Sequence, residues 1–286
     1  MDVRITHTTD AAEAMNLAGD FLCTDPARNT VLLTILDGRI AWPDPGRYWV
    51  MHDGATDRVV GFAAQSPLDR PLIVSGMPDE AIAELVRTIH AAGTELPGVI
   101  GPAAPGARCA GLWVEHTVTG AAPKVGMRLF EAPSIHMPPG VRGRVRTAGA
   151  DDRAQLIQWS TAFRQEAGTP AGNVETETDR RIADGCIRFL VDVDGDPAPV
   201  SMASHSRIVH GVARVQLVYT PPELRGRGYA GLCTAVLTQE LLDRGLRVVL
   251  YTDLGNPVSN ALYAKLGYRS VSEALEYTFE APTRSP

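Results

Sequence analysis

The chain lacks most of what would mark it as a metal, membrane or nucleic-acid protein. It has four cysteines in 286 residues, Cys23, Cys109, Cys186 and Cys233, and no C-x-x-C pair, so no zinc site and no disulfide framework is suggested and no metal is expected. No apolar run reaches the length of a membrane span, and Met1-Asp2-Val3-Arg4 lacks the basic-then-apolar layout of a signal peptide. A cytoplasmic protein without a membrane partner is expected. Positive charge is also short, with 27 Lys+Arg against 33 Asp+Glu for a net charge of -6. That balance argues against a nucleic-acid partner while allowing a local basic cleft. The Gly-Lys-Ser/Thr of a P-loop is missing from the chain's most glycine-rich turn. No residue-level repeat is visible.

What is present is enough apolar material, 44% of residues, for one large or two modest cores, and two is the preferred reading. Val3 and Ile5 suggest a strand; Ala11 to Cys23 and Arg28 to Ile40 suggest helices separated by Asp25-Pro26. Strands are expected at Tyr48 to His52, Val59 to Ala64 and Leu72 to Ser75. A helix follows from Pro78 to Ala92, with Ile82, Leu85, Val86 and Ile89 on one face and Pro78 at its first position. Gly98 to Gly101, Ala107 to Val118 and Met127 to Ile135 read as strand, helix and strand. The second half repeats the order: strand Arg142 to Thr147, helices Ala150 to Glu166 and Glu175 to Ala183, and strands Cys186 to Val193, Val200 to Ile208 and Val212 to Thr220. The proline-rich Met137-Pro138-Pro139-Gly140 is a natural joint, giving domains at 1–136 and 142–286 with a linker at 137–141.

The stretch from Val212 to Tyr268 organises the rest. Val215, Leu217 and Tyr219 alternate with more polar neighbours as in a half-buried strand, and Pro221 and Pro222 end any ladder because neither has an N–H to donate. Arg225-Gly226-Arg227-Gly228-Tyr229-Ala230 then places permissive residues and two cations before a helix start, where unpaired N–H groups attract an anion. The helix carries Cys233, Leu237 and Leu241 with Leu232 and Val236, and Gly245 stands where its C-terminal cap belongs. Arg247 to Asp253 is a buried strand, and Asn256-Pro257 opens a last helix with Asn260, Leu262, Tyr263 and Leu266 that ends at Gly267. This is a right-handed βαβ unit with a parallel strand pair, so a ligand belongs at the carboxyl ends of the strands.

The RGRGYA turn matches the Q/R-x-x-G-x-G/A signature of the GCN5-related N-acetyltransferases, and Asn256 with SNALYAKLGY resembles that family's later Asn and Tyr motif. The resemblance covers the second half. It implies an α/β fold with a mixed sheet and acetyl-CoA as cosubstrate with its pyrophosphate on the backbone of Arg225 to Gly231, that is Arg225, Gly226, Arg227, Gly228, Tyr229, Ala230 and Gly231; the repeated element order suggests a second such domain in tandem. It further implies pantetheine and carbonyl contacts from Val218, Tyr219 and Thr220, Asn256 as a cofactor contact, and Tyr263 as the acid that protonates the departing thiolate. By contrast, the helix at Pro78 opens with Asp79 and Glu80, acids that satisfy its dipole and repel a pyrophosphate. The first half therefore reads as a degenerate domain that does not hold the cofactor.

The chemistry expected is acyl transfer from the thioester to a primary amine by direct attack. The amine must lose a proton, and the central strand Val212 to Thr220 has no acid. Asp253 and His205 are the candidate bases; Asp253 serves equally as a cap, a strand histidine is commonly just packed, and a chain of waters could replace either. Trp159, Phe163, Glu166, Glu175 and Glu177 fall in the region the family uses for acceptor choice, although Trp159 at helical spacing with Leu156 and Phe163 also reads as core. The acceptor is a small-molecule or protein amine and the state a monomer or homodimer. The other function class left open is a non-catalytic acyl-CoA-binding or interaction module.

Overall fold

The computed structural model describes residues 2–117, 119–168, 172–191 and 196–280. The first stretch of chain runs β1 (Val3–Thr8), α1 (Ala11–Cys23), α2 (Thr30–Ala41), β2 (Arg47–Asp53), β3 (Val59–Gln65), β4 (Leu72–Val74), α3 (Asp79–Ala91), β5 (Gly98–Pro102), α4 (Ala103–Thr117) and β6 (Gly120–Ala132). It continues with β7 (Arg144–Thr147), α5 (Arg153–Glu166), α6 (Val174–Ala183), β8 (Ile187–Val191), β9 (Ser201–His205), β10 (Val212–Tyr219), α7 (Tyr229–Asp243), β11 (Arg247–Asp253), α8 (Pro257–Leu266) and β12 (Arg269–Glu280). Val118 and residues 192–193, at the ends of an expected helix and strand, lie outside the described residues. The contacts divide the chain into two compact units that do not follow sequence order: Met1–Leu129 with Thr252–Asn256 and Val271–Pro286, and Phe130–Tyr251 with Pro257–Ser270.

In the first unit β1, β2, β3 and β4 pair antiparallel in sequence order, β4 pairs parallel with β5, and β12 closes against β5 with Ala274 opposite Pro102 and Thr278 opposite Gly98. The core gathers Trp49, Leu72, Ile82, Leu85, Ile89 and Val99 under α3 and α4, as the 3.6-residue spacing of the helix at Asp79 requires. Pro78 is the N-cap of α3, one place earlier than expected, with Asp79 and Glu80 in the first turn. A bond from a backbone N–H holds the Glu80 carboxyl below the usual carboxylate range.

No strand was expected at β12. Its glutamates at 273, 276 and 280 make the alternation look polar, but Arg128 donates to Glu273 (2.8 Å) and Lys124 to Glu276 (3.0 Å), while Phe279 stacks on Trp113 at 5.6 Å. Charges neutralised from β6 thus mask a strand.

In the second unit β7, β8, β9 and β10 pair antiparallel, β10 pairs parallel with β11, and the Phe130–Ala132 end of β6 lies beyond β11. Two cores cover the two faces. On one side α7 and α8 bury Ala213, Val215, Cys233, Leu237, Leu241, Val248 and Leu250. On the other α5 and α6 cover Leu156, Trp159, Phe189, Met202, Leu217 and Tyr219. Trp159 is a core residue, edge-on to Phe189 at 5.4 Å.

The alternation read for Val215, Leu217 and Tyr219 is corrected by this division, because Val215 faces α7 whereas Leu217 and Tyr219 face α5. The register against β9 shifts between Gln216 and Tyr219, and Leu217 has φ 50°. An extra residue in a strand reverses which face the following side chains take. The parallel register with β11 runs from Val212 opposite Arg247 to Val215 opposite Leu250. It stops ahead of Pro221, to which its end was ascribed: the bulge intervenes first.

Candidate active site

The turn between β10 and α7 is built for tight backbone. Pro222–Leu224 forms a single 3-10 turn, Gly226 has φ 76° and Gly228 has φ 81°. Both angles lie in the left-handed region that a Cβ disfavours. At Gly228 a Cβ would also meet Val141 Cγ2 at 2.7 Å. Gly228 is the N-cap of α7, so it brings no side chain to the first-turn amides, and no acid stands in that turn. The N-terminal N–H groups and the positive end of the dipole are left for an external anion. Tyr229 is buried in the core and anchors the helix start, and Gly231 lets Leu262 of α8 approach, a Cβ there lying 3.1 Å from Leu262 Cδ1.

Arg225 and Arg227 are both exposed. Arg225 donates through Nη2 to both carboxylate oxygens of Glu166, at 2.8 and 2.6 Å, and through Nε to the Thr220 carbonyl at 2.8 Å, with its guanidinium 5.7 Å from the centre of the Tyr219 ring. Glu166, read from sequence as an acceptor-side acid, is therefore tied to the turn. No sequence signal linked the two positions, which lie 59 residues apart. The strand end is also pinned, since Ser201 Oγ donates to the Tyr219 carbonyl (3.1 Å) and lies 2.9 Å from Thr220 Oγ1. Val218, half-buried, packs on the α7 side between these two residues and the bulge.

Tyr263 lies in the same core, tilted against Phe130 at 6.4 Å and edge-on to Tyr268 at 5.8 Å. Burial pushes its phenol up to about 12, so it holds its proton at any physiological pH. Tyr268 has a structural bond, its hydroxyl 2.6 Å from Thr238 Oγ1.

His205 is not brought to the turn. It is buried, pairs across from Val215 on the α7 side of the sheet, and Nδ1–H donates to the Ser206 carbonyl at 2.6 Å. Burial holds it below the ordinary histidine range, and Arg188, Arg244 and Glu240 are the charges that bear on it. Arg244 caps the C-terminal end of the 15-residue α7, about 22 Å of helix from Gly228. Asp253 and Asn256 belong to the segment packed with the first unit. Asp253 is exposed and accepts from the Gly255 amide at 2.7 Å, and Asn256 is exposed, its N–H bonded to the Asp253 carbonyl at 3.1 Å.

On α5 and α6, Glu177 takes bonds from Arg164 (2.5 Å) and Arg181 (3.1 Å), and Glu175 from Arg153 (3.2 Å). An open hollow of about 470 Å³ between α5 and α6, lined by Arg153, Ile157, Asn173 and Asp179, is separate from the turn. Among the described residues no group of three His, Cys, Asp or Glu side chains could hold a metal ion, and no helix is long and apolar enough to cross a membrane.

Comparison with known proteins bears on the same region. Residues 200–277 match the family described as FR47-like protein. A mycothiol acetyltransferase of Kytococcus sedentarius is 31% identical over 152 residues, 51% of either chain. The chain spans about half the length of the curated relatives it matches. In fold it is similar to an acetyltransferase from the GNAT family of Colwellia psychrerythraea (TM-score 0.64, 11% identity, 98% of this chain and 100% of that one). It is similar also to a tandem GNAT protein from the clavulanic acid biosynthesis pathway (TM-score 0.58, 13% identity, 100% of both chains). With the glycine turn, the bulged β10 and the parallel β10–β11 pair in one unit, these likenesses show that the chain has the fold of the GCN5-related N-acetyltransferases.

Proposed function

We propose that the protein is an acetyl-CoA-dependent N-acetyltransferase that acetylates a primary amine by direct attack in a ternary complex. The observation that carries this reading is the start of α7: a left-handed Gly228 cap with no capping side chain, no acid in the first turn, and a bulged strand leading into it. Those features fit a pyrophosphate. Bound acetyl-CoA supplies a thioester carbon open to attack.

The chain's own residues then divide the work. The backbone from Arg225 to Gly231 holds the phosphates, and an N–H of the Val218–Thr220 strand end meets the negative charge that develops on the carbonyl oxygen, roughly 3 to 4 kcal/mol for one such donor. The amine nitrogen bonds to the carbonyl carbon, the carbon–sulfur bond breaks, and the thiolate takes its proton from Tyr263, which burial keeps protonated. A water relay removes the amine proton; Asp253 as its carboxylate and Asn256 as a cofactor contact remain sequence-based assignments. His205, facing the far end of α7, is not favoured. The first half, joined in sequence at 137–141, holds no cofactor because Asp79 and Glu80 occupy the first turn of α3.

The experiment is calorimetric titration with acetyl-CoA, followed by a screen of primary amines for thiol release. One site per chain, lost in Gly228→Asp, with release on some amine, supports the reading. Absence of binding overturns it, two sites overturn the degenerate first half, and binding without release on any amine favours an acyl-CoA-binding module.

A further inference from the structure

We infer that the α5/α6 side of β10 holds a carboxylate-binding site built on Arg214 and Thr178, and that the acceptor amine carries a carboxylate. The second clause rests on the acyltransferase reading, while the first stands alone.

Ala213 and Val215 are buried with α7 and α8, so Arg214 between them points to the other face, toward α6. Its Nη1 is fully covered, and no described residue accepts from it. Burial works against its charge, and the titratable groups that bear on it are Tyr251 and Arg181. Neither supplies an anion. Burial keeps the Tyr251 phenol protonated, and Arg181 is a second cation. Glu177, one turn before Arg181 on α6, already takes bonds from both Arg164 and Arg181. Arg214 Nη1 is thus a buried cationic donor without a counter-ion among the described residues, an unfavourable arrangement that an anion would complete.

A second atom points the same way. Thr178 is buried on α6 three residues before Arg181, so the two share a helix face. Thr178 Oγ1 is covered and without a partner among the described residues. A guanidinium nitrogen and a hydroxyl, each lacking an acceptor among the described residues, suit the two oxygens of one carboxylate. Access exists because Arg214 as a whole keeps some exposure although its Nη1 has none.

The test uses the full chain. Binding of propionate and of its neutral counterpart propionamide is read by ligand-observed NMR on the native protein, on Arg214→Met and on Thr178→Val, with acetyl-CoA titrated separately on each. The native protein is expected to prefer propionate by about 10-fold or more. Arg214→Met should abolish that preference with its melting temperature unchanged or raised, because a buried uncompensated charge has been removed, and Thr178→Val should reduce it. Equal binding of acid and amide, or a preference that survives Arg214→Met, overturns the inference. Should Arg214→Met not fold, an undiminished preference in Thr178→Val overturns it equally. Acetyl-CoA binding without a propionate preference sinks this site and spares the acyltransferase reading; the reverse pattern does the opposite. Where transfer is measured, amino acids should outrun their amides.

Discussion

Replacing Gly228 separates the cost of folding the turn from the cost of filling it. Gly228→Ala forces a Cβ onto φ 81°, which costs about 1–2 kcal/mol. It also sets that Cβ 2.7 Å from Val141 Cγ2, a contact worth about 1–3 kcal/mol in strain because Val141 packs against the core. Gly228→Asp meets the same contact but tolerates the left-handed region better, and its charge at the positive end of α7 returns about 0.3–1 kcal/mol. The aspartate variant should therefore be the more stable of the two, by about 1 kcal/mol, equivalent to roughly 2–4 °C in melting temperature for a domain of this class. Binding should fall in the opposite order. A carboxylate within about 4 Å of a phosphate charge costs about 4 kcal/mol at an effective dielectric near 20, a loss of about 1,000-fold in affinity. Thermal melts and acetyl-CoA calorimetry on the same two variants check both halves. The reasoning fails if Gly228→Asp binds acetyl-CoA within about tenfold of the native protein, since the amides of α7 would then not be the anion site.

Tyr263→Phe should lower turnover far more than acetyl-CoA affinity, measured by steady-state kinetics beside calorimetry; equal losses would remove the acid role. The same residue shapes alkaline stability. Its folded-state value is raised from 10.0 to about 12, so between those values the unfolded chain has released a proton that the native state keeps. Stability falls as pH rises through that window, by about 3 kcal/mol in all, and denaturant melts should show this limb reduced in Tyr263→Phe. Arg225→Glu should abolish acetyl-CoA binding with little loss of fold, because the pair is exposed at 47% and 45% and such pairs contribute about 0–1 kcal/mol. Adding Glu166→Arg restores binding if the pair's role is to position the turn; calorimetry that finds no restoration assigns the Arg225 charge to the phosphate itself.

The sequence showed what depends on local chemistry. The glycines at 226 and 228, the proline at 257 and the glycine after α7 each declare a backbone state that few other residues tolerate, and the turn, α8 and the α7 end follow from them. At that last site the Leu246 amide reaches back to the Leu241 carbonyl at 3.3 Å across Gly245, φ 75°, as a left-handed cap does. Long-range pairing was the illegible part. Glu166 and Arg225 meet across 59 residues, and the partners that neutralise β12 sit 145 and 152 residues away. A period-2 pattern cannot announce a bulge, since Val215, Leu217 and Tyr219 keep their spacing on paper while the inserted residue sends them to different faces.

That bulge is also where fold and chemistry meet. A buried leucine at φ 50° is strained by about 1–3 kcal/mol, and such strain persists only where surrounding structure over-determines it. Here the determinants are Trp159, Phe189 and Met202, which hold Leu217 and Tyr219 on the α5 side, and Val215, which is fixed in the α7 core. A regular strand satisfying both sets of contacts would need one residue fewer. With the extra residue, β10 leaves the parallel register after Val215, and its last residues become free to serve a ligand in place of a neighbouring strand. The hydrophobic cores on the two faces thus force the departure that the proposed carbonyl contact requires.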